Sequence, residues 1–122
     1  MNRALTSLIL CALLSCSNNQ HLKLGDSDDV VVNVEIRDKS DIKTIVFRAN
    51  GLSQILNPTD LDQYTSISFG FDALGEGTFT LCVFSANDSI CSEHYVESGY
   101  RPKLSCTANE VNVKTHLGLE YE

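Results

Sequence analysis

Three observations predict an all-β sandwich. Beyond residue 30 apolar residues recur at every second position in one run after another, as in strands with one buried face. Clusters of turn-forming residues separate these runs. No segment after the apolar opening keeps a sustained helical period, and strands at such short intervals favour packed sheets over a βαβ arrangement.

The opening "ALTSLILCALLSCSNNQ" is apolar from Ala4 to Leu14, eleven residues, and then turns polar. A helix that crosses a bilayer needs about 20 apolar residues, so this run is too short to span. Arg3 precedes it and the small Ser15 closes it, which is the layout of an export signal. The boundary Leu13-Leu14-Ser15-Cys16 resembles the lipobox of bacterial lipoproteins. That resemblance implies cleavage after Ser15 and a diacylglyceryl thioether on Cys16, the first mature residue. Cys11 fits less well, since Leu10 and not a small residue stands before it. Two or more acyl chains, palmitate among them, hold a protein stably on a membrane, where a single chain does not. Ser17 follows the cysteine in place of the aspartate that retains such lipoproteins on the inner membrane, so the resemblance implies the outer membrane.

From Cys16 onward the chain has 107 residues, enough for one domain with one core. Loss of Arg3 leaves eight Lys and Arg against sixteen Asp and Glu, a formal charge of −8. Such acidity argues against nucleic acid and anionic lipid as partners. Residues 16–29 are polar and aperiodic and read as a tether, with room for an edge strand at His21–Leu24. The "DSDD" within it lacks the ordered ligand series of a calcium loop and reads as solvated acid.

The strands follow in order. "VVVNVEIR" buries Val32, Val34 and Ile36, and "KTIVFRAN" buries Ile45, Phe47 and Ala49. "TSISFGFD" contributes Ile67, Phe69 and Phe71, and "GTFTLCVFS" contributes Phe79, Leu81 and Val83. "RDKSD", "NPTD" and "LGEG" break the chain between runs, and "PTDLDQY" can make one helical turn behind Pro58.

"VVNVEIRDKSDIKTIVFRANG" followed by "TSISFGFDALGEGTFTLCVFSANDSICSE" is similar to the bacterial immunoglobulin-like domains of exported and surface proteins. The resemblance covers residues 30–96, about two thirds of the mature chain, and implies an immunoglobulin-like sandwich of about seven strands over residues 30–97. It implies binding or spacing, not catalysis. Residues 98–122 have no counterpart in that pattern and are expected to form a C-terminal arm, an added strand packed on the domain.

Three cysteines follow Cys16, an odd number for an oxidising compartment. If Cys82 faces outward and "SAND" turns the chain, Cys82 and Cys91 meet on one face of a hairpin, where a cross-strand disulfide can form. Cys106, in "KLSCTANEVNVK", can pair with either one instead. The same facing leaves Val46, Cys82 and Phe84 as an apolar strip on the outer side of one sheet, with Val46 and Phe84 as candidate interaction residues. Either the arm, through its Leu104, Val111 and Val113, or a partner protein is expected to cover that strip.

Chemistry-bearing motifs are sparse. No phosphate loop, nucleophile elbow or HExxH occurs, and no catalytic residue, metal or cofactor is expected. Cys91 and His94 lack the companion ligands of a zinc site. Glu93 and His94 are neighbours on a strand, point to opposite faces and read as a solvated edge. His21 and His116 fall in segments read as flexible, and Asn87-Asp88-Ser89 is a glycosylation acceptor only in a eukaryote. The sequence therefore points to a lipid-anchored envelope module without catalytic activity that binds a protein or glycan. The alternatives are a small envelope inhibitor, immunity or exclusion lipoprotein acting on an enzyme or on a phage or conjugation component, and a periplasmic accessory or metal-handling protein.

Overall fold

A computed structural model describes residues 20–115. Cys16, the lipobox and His116 lie outside the described residues. Nine strands and one short helix follow in the order β1 (His21–Leu24), β2 (Val30–Ile36), β3 (Thr44–Ala49), β4 (Leu52–Leu56), α1 (Pro58–Leu61), β5 (Ser66–Phe71), β6 (Glu76–Phe84), β7 (Ser89–Glu97), β8 (Lys103–Cys106) and β9 (Val111–Thr115). They form two sheets packed face to face, a β-sandwich. The first sheet has the order β1-β5-β2-β8-β9 and the second β4-β3-β6-β7.

The predicted inward sets meet between the sheets. Val32, Val34, Ile45, Phe47, Ile67, Phe69, Phe79, Leu81 and Val83 are each at most 1% exposed. Four rings form the centre. Phe47 stacks on Phe69 at a centroid distance of 4.1 Å and lies 5.4 Å from Phe79, while Phe71 meets Phe79 edge-on at 6.4 Å. Pro58 opens α1, and the Asp60 carboxylate accepts the Asn57 backbone N–H at 2.9 Å, which closes the first turn.

Nine described strands exceed the seven or so of the immunoglobulin pattern. Six of them, β2 to β7, lie within residues 30–97, and β1, β8 and β9 add to the first sheet. Two of its neighbour pairs are parallel: β1 with β5, and β2 with β8. The immunoglobulin arrangement uses antiparallel sheets, so the parallel pairs set this first sheet apart from it.

The edge strand at His21–Leu24 is β1, and the segment after it is docked as well. A Cβ on Gly25 would collide with the Gly70 carbonyl, and one on Gly70 would collide with the Ser27 carbonyl, so two bare backbones let residues 25–27 lie on β5. Asp29 then ties three loops together. Its carboxylate accepts the Ala73 N–H at 2.8 Å and the Ser98 hydroxyl at 3.0 Å, and its carbonyl accepts the Gly99 N–H at 2.8 Å. The Ala73 hydrogen bond, with help from Ser98, holds the Asp29 carboxyl below its ordinary range.

Cys82 and Cys91 are joined by a disulfide, with a Cα–Cα distance of 4.0 Å across the β6–β7 hairpin. Cys106 is a free thiol 1% exposed, and burial pushes its pKa up to about 11. It faces the core beside Leu104, on the opposite sheet from the disulfide, which is why it joins neither partner. Iodoacetamide at pH 8 is therefore expected to leave Cys106 unmodified in the folded protein and to alkylate it after unreduced denaturation. Peptide mapping that found Cys106 alkylated in the native state would contradict its burial.

Candidate functional site

The outer face of the second sheet is built by register. Ile55 on β4 stands opposite Val46 on β3, Val46 opposite Cys82 on β6, and Cys82 opposite Cys91 on β7. Phe84, two residues beyond Cys82 on the same face, stands opposite Thr44 and Ser89. The row is continuous and apolar, but its exposure is uneven. Val46 and Cys82 are only 7% and 6% exposed because flanking side chains and the disulfide crowd them, whereas Ile55 is 54% and Phe84 37% exposed. The accessible part is thus Phe84 and Ile55, with Val46 as the floor between them.

Ile55 was not predicted. "GLSQIL" mixes apolar and polar residues too briefly to identify a strand, and only its pairing with β3 turns Leu56 inward and Ile55 outward. The arm does not cover the strip, contrary to the expectation for it. β8 and β9 extend the other sheet, where β8 pairs with β2 and its Leu104 and Cys106 fill the core beside that strand. No described strand lies over the row.

No family model, curated protein or solved structure matches this chain. What its surface can do therefore has to be read from its own groups.

The outer face of the first sheet is polar. His21 is held in β1, in contrast to the flexible segment expected for it. Its Nδ1 lies 2.6 Å from Ser66 Oγ and its Nε2 3.0 Å from Ser68 Oγ, both on β5. Beside it Lys114 donates to Glu35 at 2.8 Å, and this bond holds the Glu35 carboxyl below its ordinary range. An activated serine needs a base oriented by a third, usually anionic, group. His21 spends both ring nitrogens on hydroxyls, an arrangement that positions side chains across two strands.

The β7 neighbours diverge as the strand geometry requires. Glu93 is exposed on the outer face, while His94 turns inward, with its ring 5.1 Å from Phe79 and its Nε2 2.6 Å from Ser92 Oγ. His94 is half-buried, not a solvated edge residue, because Phe79 lies directly opposite it in the register. Cys91 is consumed by the disulfide, and among the described residues no three His, Cys, Asp or Glu side chains are placed to hold a metal ion.

Further along β7 the Tyr95 hydroxyl lies 2.7 Å from Glu97 and 2.8 Å from Glu76. Its proton serves two carboxylates that face each other in the register. Hydrogen bonding to Glu97 first, and to Glu76, raises the phenol pKa well above its ordinary value. At the open side of the sandwich Leu22, Leu24, Leu56 and Tyr64 line a shallow cleft of about 340 Å³ with Gln54 and Asp60 at its rim.

Proposed function

We propose that the protein is a lipid-anchored, non-enzymatic interaction module of the bacterial cell envelope, carried on the outer membrane through Cys16 and built on an immunoglobulin-like sandwich whose first sheet is extended by the parallel-paired strands β1 and β8. The observation that carries the interaction reading is the accessible pair Ile55 and Phe84, on the sheet face that carries the disulfide and that no described strand covers. The anchoring rests on the signal and lipobox pattern ending at Cys16.

Anchoring by Cys16 has a geometric consequence. β1 begins at His21, so only residues 16–20 link the lipid to the folded domain, and five residues reach at most about 17 Å. The domain is held close to the bilayer, and its partner must be reachable there.

Two measurements test the reading. Radiolabelled palmitate is expected to enter the wild type and not Cys16→Ser, and the variant is expected to leave the membrane fraction. Chemical cross-linking in intact envelopes is expected to give a discrete adduct that Ile55→Asp and Phe84→Asp lose while still folding, since both side chains are exposed. Labelling of Cys16→Ser would overturn the anchor, and an unchanged adduct in both Asp variants would remove this face from the interaction.

A further inference from the structure

β7 is the longest edge strand among the described residues. It runs nine residues and pairs only with β6, whereas the other three edges, β1, β4 and β9, have four or five. Its hydrogen-bonding phase follows from the hairpin. In an antiparallel pair, close positions, with Cα atoms about 4.5 Å apart, exchange no hydrogen bonds with each other and turn their N–H and C=O groups outward. Cys82 and Cys91, 4.0 Å apart, are such a pair, so Glu93, Tyr95 and Glu97, at every second position, share the phase. Two hydrogen bonds beyond the strand agree with it: Ser98 N–H donates back to the Gly75 carbonyl, and Gly99 N–H donates away from the hairpin to the Asp29 carbonyl. Cys91, Glu93 and Tyr95 thus present their backbone donors and acceptors to the open side, without partners among the described residues.

Natural sheets blunt such an edge with lysine, proline or a bulge. β7 has none of these: its sequence is SICSEHYVE, and its register with β6 is unbroken. What it carries is negative charge. The residues whose backbones face the open side place Glu93 and Glu97 on the outer face, with Glu76 beside Glu97. Pairing with a second copy about Tyr95 would set Glu93 of each chain against Glu97 of the other, and like charges directly opposite destabilise a sheet. An added strand with lysine or arginine at alternate positions would meet carboxylates instead.

We propose that the β7 edge, Cys91, Glu93 and Tyr95 in particular, accepts an extended basic segment of a partner protein as an added strand, lying beside the row of Phe84 and Cys91. This names the partner class for the interaction module and rests on that reading. Main-chain hydrogen bonds would supply affinity, and Glu93 and Glu97 would supply selection for cations.

The test uses the protein as purified in detergent from the expressed full chain, and a nine-residue peptide alternating lysine and threonine, capped at both ends. Binding is followed by fluorescence polarisation and amide hydrogen exchange. The peptide is expected to bind, to slow exchange at Cys91, Glu93 and Tyr95, and to weaken as salt rises. Combined Glu93→Lys and Glu97→Lys, which keeps the fold because both sites are exposed, is expected to weaken binding about tenfold, the equivalent of about 1.4 kcal/mol. The same peptide N-methylated at alternate residues, which cannot complete the ladder, is expected not to bind.

The proposal is overturned if a glutamate-threonine peptide binds equally well. It is likewise overturned if the N-methylated peptide binds unchanged, or if those three amides are already protected before peptide is added. If palmitate labelling and the envelope adduct hold while the peptide fails, only the basic-strand partner falls. If the peptide binds but Cys16 is not labelled, only the anchor falls.

Discussion

Phe47→Ala is expected to cost about 3–5 kcal/mol, the range for deleting a buried aromatic ring. Phe47 is fully buried at the point where the two sheets meet, in ring contact with Phe69, Phe71 and Phe79. Alanine there removes the side chain on which three other rings pack, and a strand pinned on both sides by β4 and β6 cannot move in to fill the void. A domain of this size has only about 5–15 kcal/mol of stability, so the variant should melt at a much lower temperature or fail to accumulate. Thr80→Ala, one residue from Phe79 and on the outer face, should stay close to wild type. Equal losses for Thr80→Ala and Phe47→Ala in urea unfolding would contradict the facing of β3 and β6.

Ending the chain at Ser98 is expected to have a larger effect still. β8 is an interior strand of the first sheet, with β2 on one side and β9 on the other. Three backbone hydrogen bonds reinforce its approach to β2: Val31 N–H to the Tyr100 carbonyl, Asn33 N–H to Pro102 and Arg37 N–H to Cys106. Truncation opens the edge of β2 and removes Leu104 and Cys106 from the core. Leu104 alone, cut to alanine, would cost about 2–5 kcal/mol. The truncated chain should therefore be unfolded or self-associated by circular dichroism and sedimentation. Of the described strands, ending the chain at Glu110 removes only the edge strand β9, and a cooperative melt should remain. A Ser98 truncation that melts with the full-length protein would show that the first sheet closes without β8.

Much of this architecture is legible locally. Alternation at Val32, Val34 and Ile36, or at Phe79, Leu81 and Val83, assigns each side chain to a face, because the pleat has a period of two and one face must leave water. The Cys82–Cys91 pairing was legible only as one of three, since Cys106 could take either partner, and the burial of Cys106 in the other sheet decides it. The candidate surface was legible only in part. Phe84 stood out as part of an outward apolar strip, but its exposed companion Ile55 did not, and Val46 proved too crowded to offer much area.

By itself, then, the sequence determined the fold class, the inward set and the β6–β7 hairpin, all consequences of residues a few positions apart. Only the tertiary structure decided which strands are neighbours. β8 lies beside β2 and not over the apolar row of the other sheet, and His21 meets Ser66 and Ser68 at a separation of more than forty residues. Alternation says which way a side chain points but is the same for every possible partner strand, so it cannot choose among them. That choice is made by the fit of whole faces: Leu104 and Cys106 beside the valines of β2, bare Gly70 under residues 25–27, and Asp29 bonded to Ala73 and Ser98. The open edge of β7 has the same origin, since a strand becomes an edge only when every other strand has found its place elsewhere.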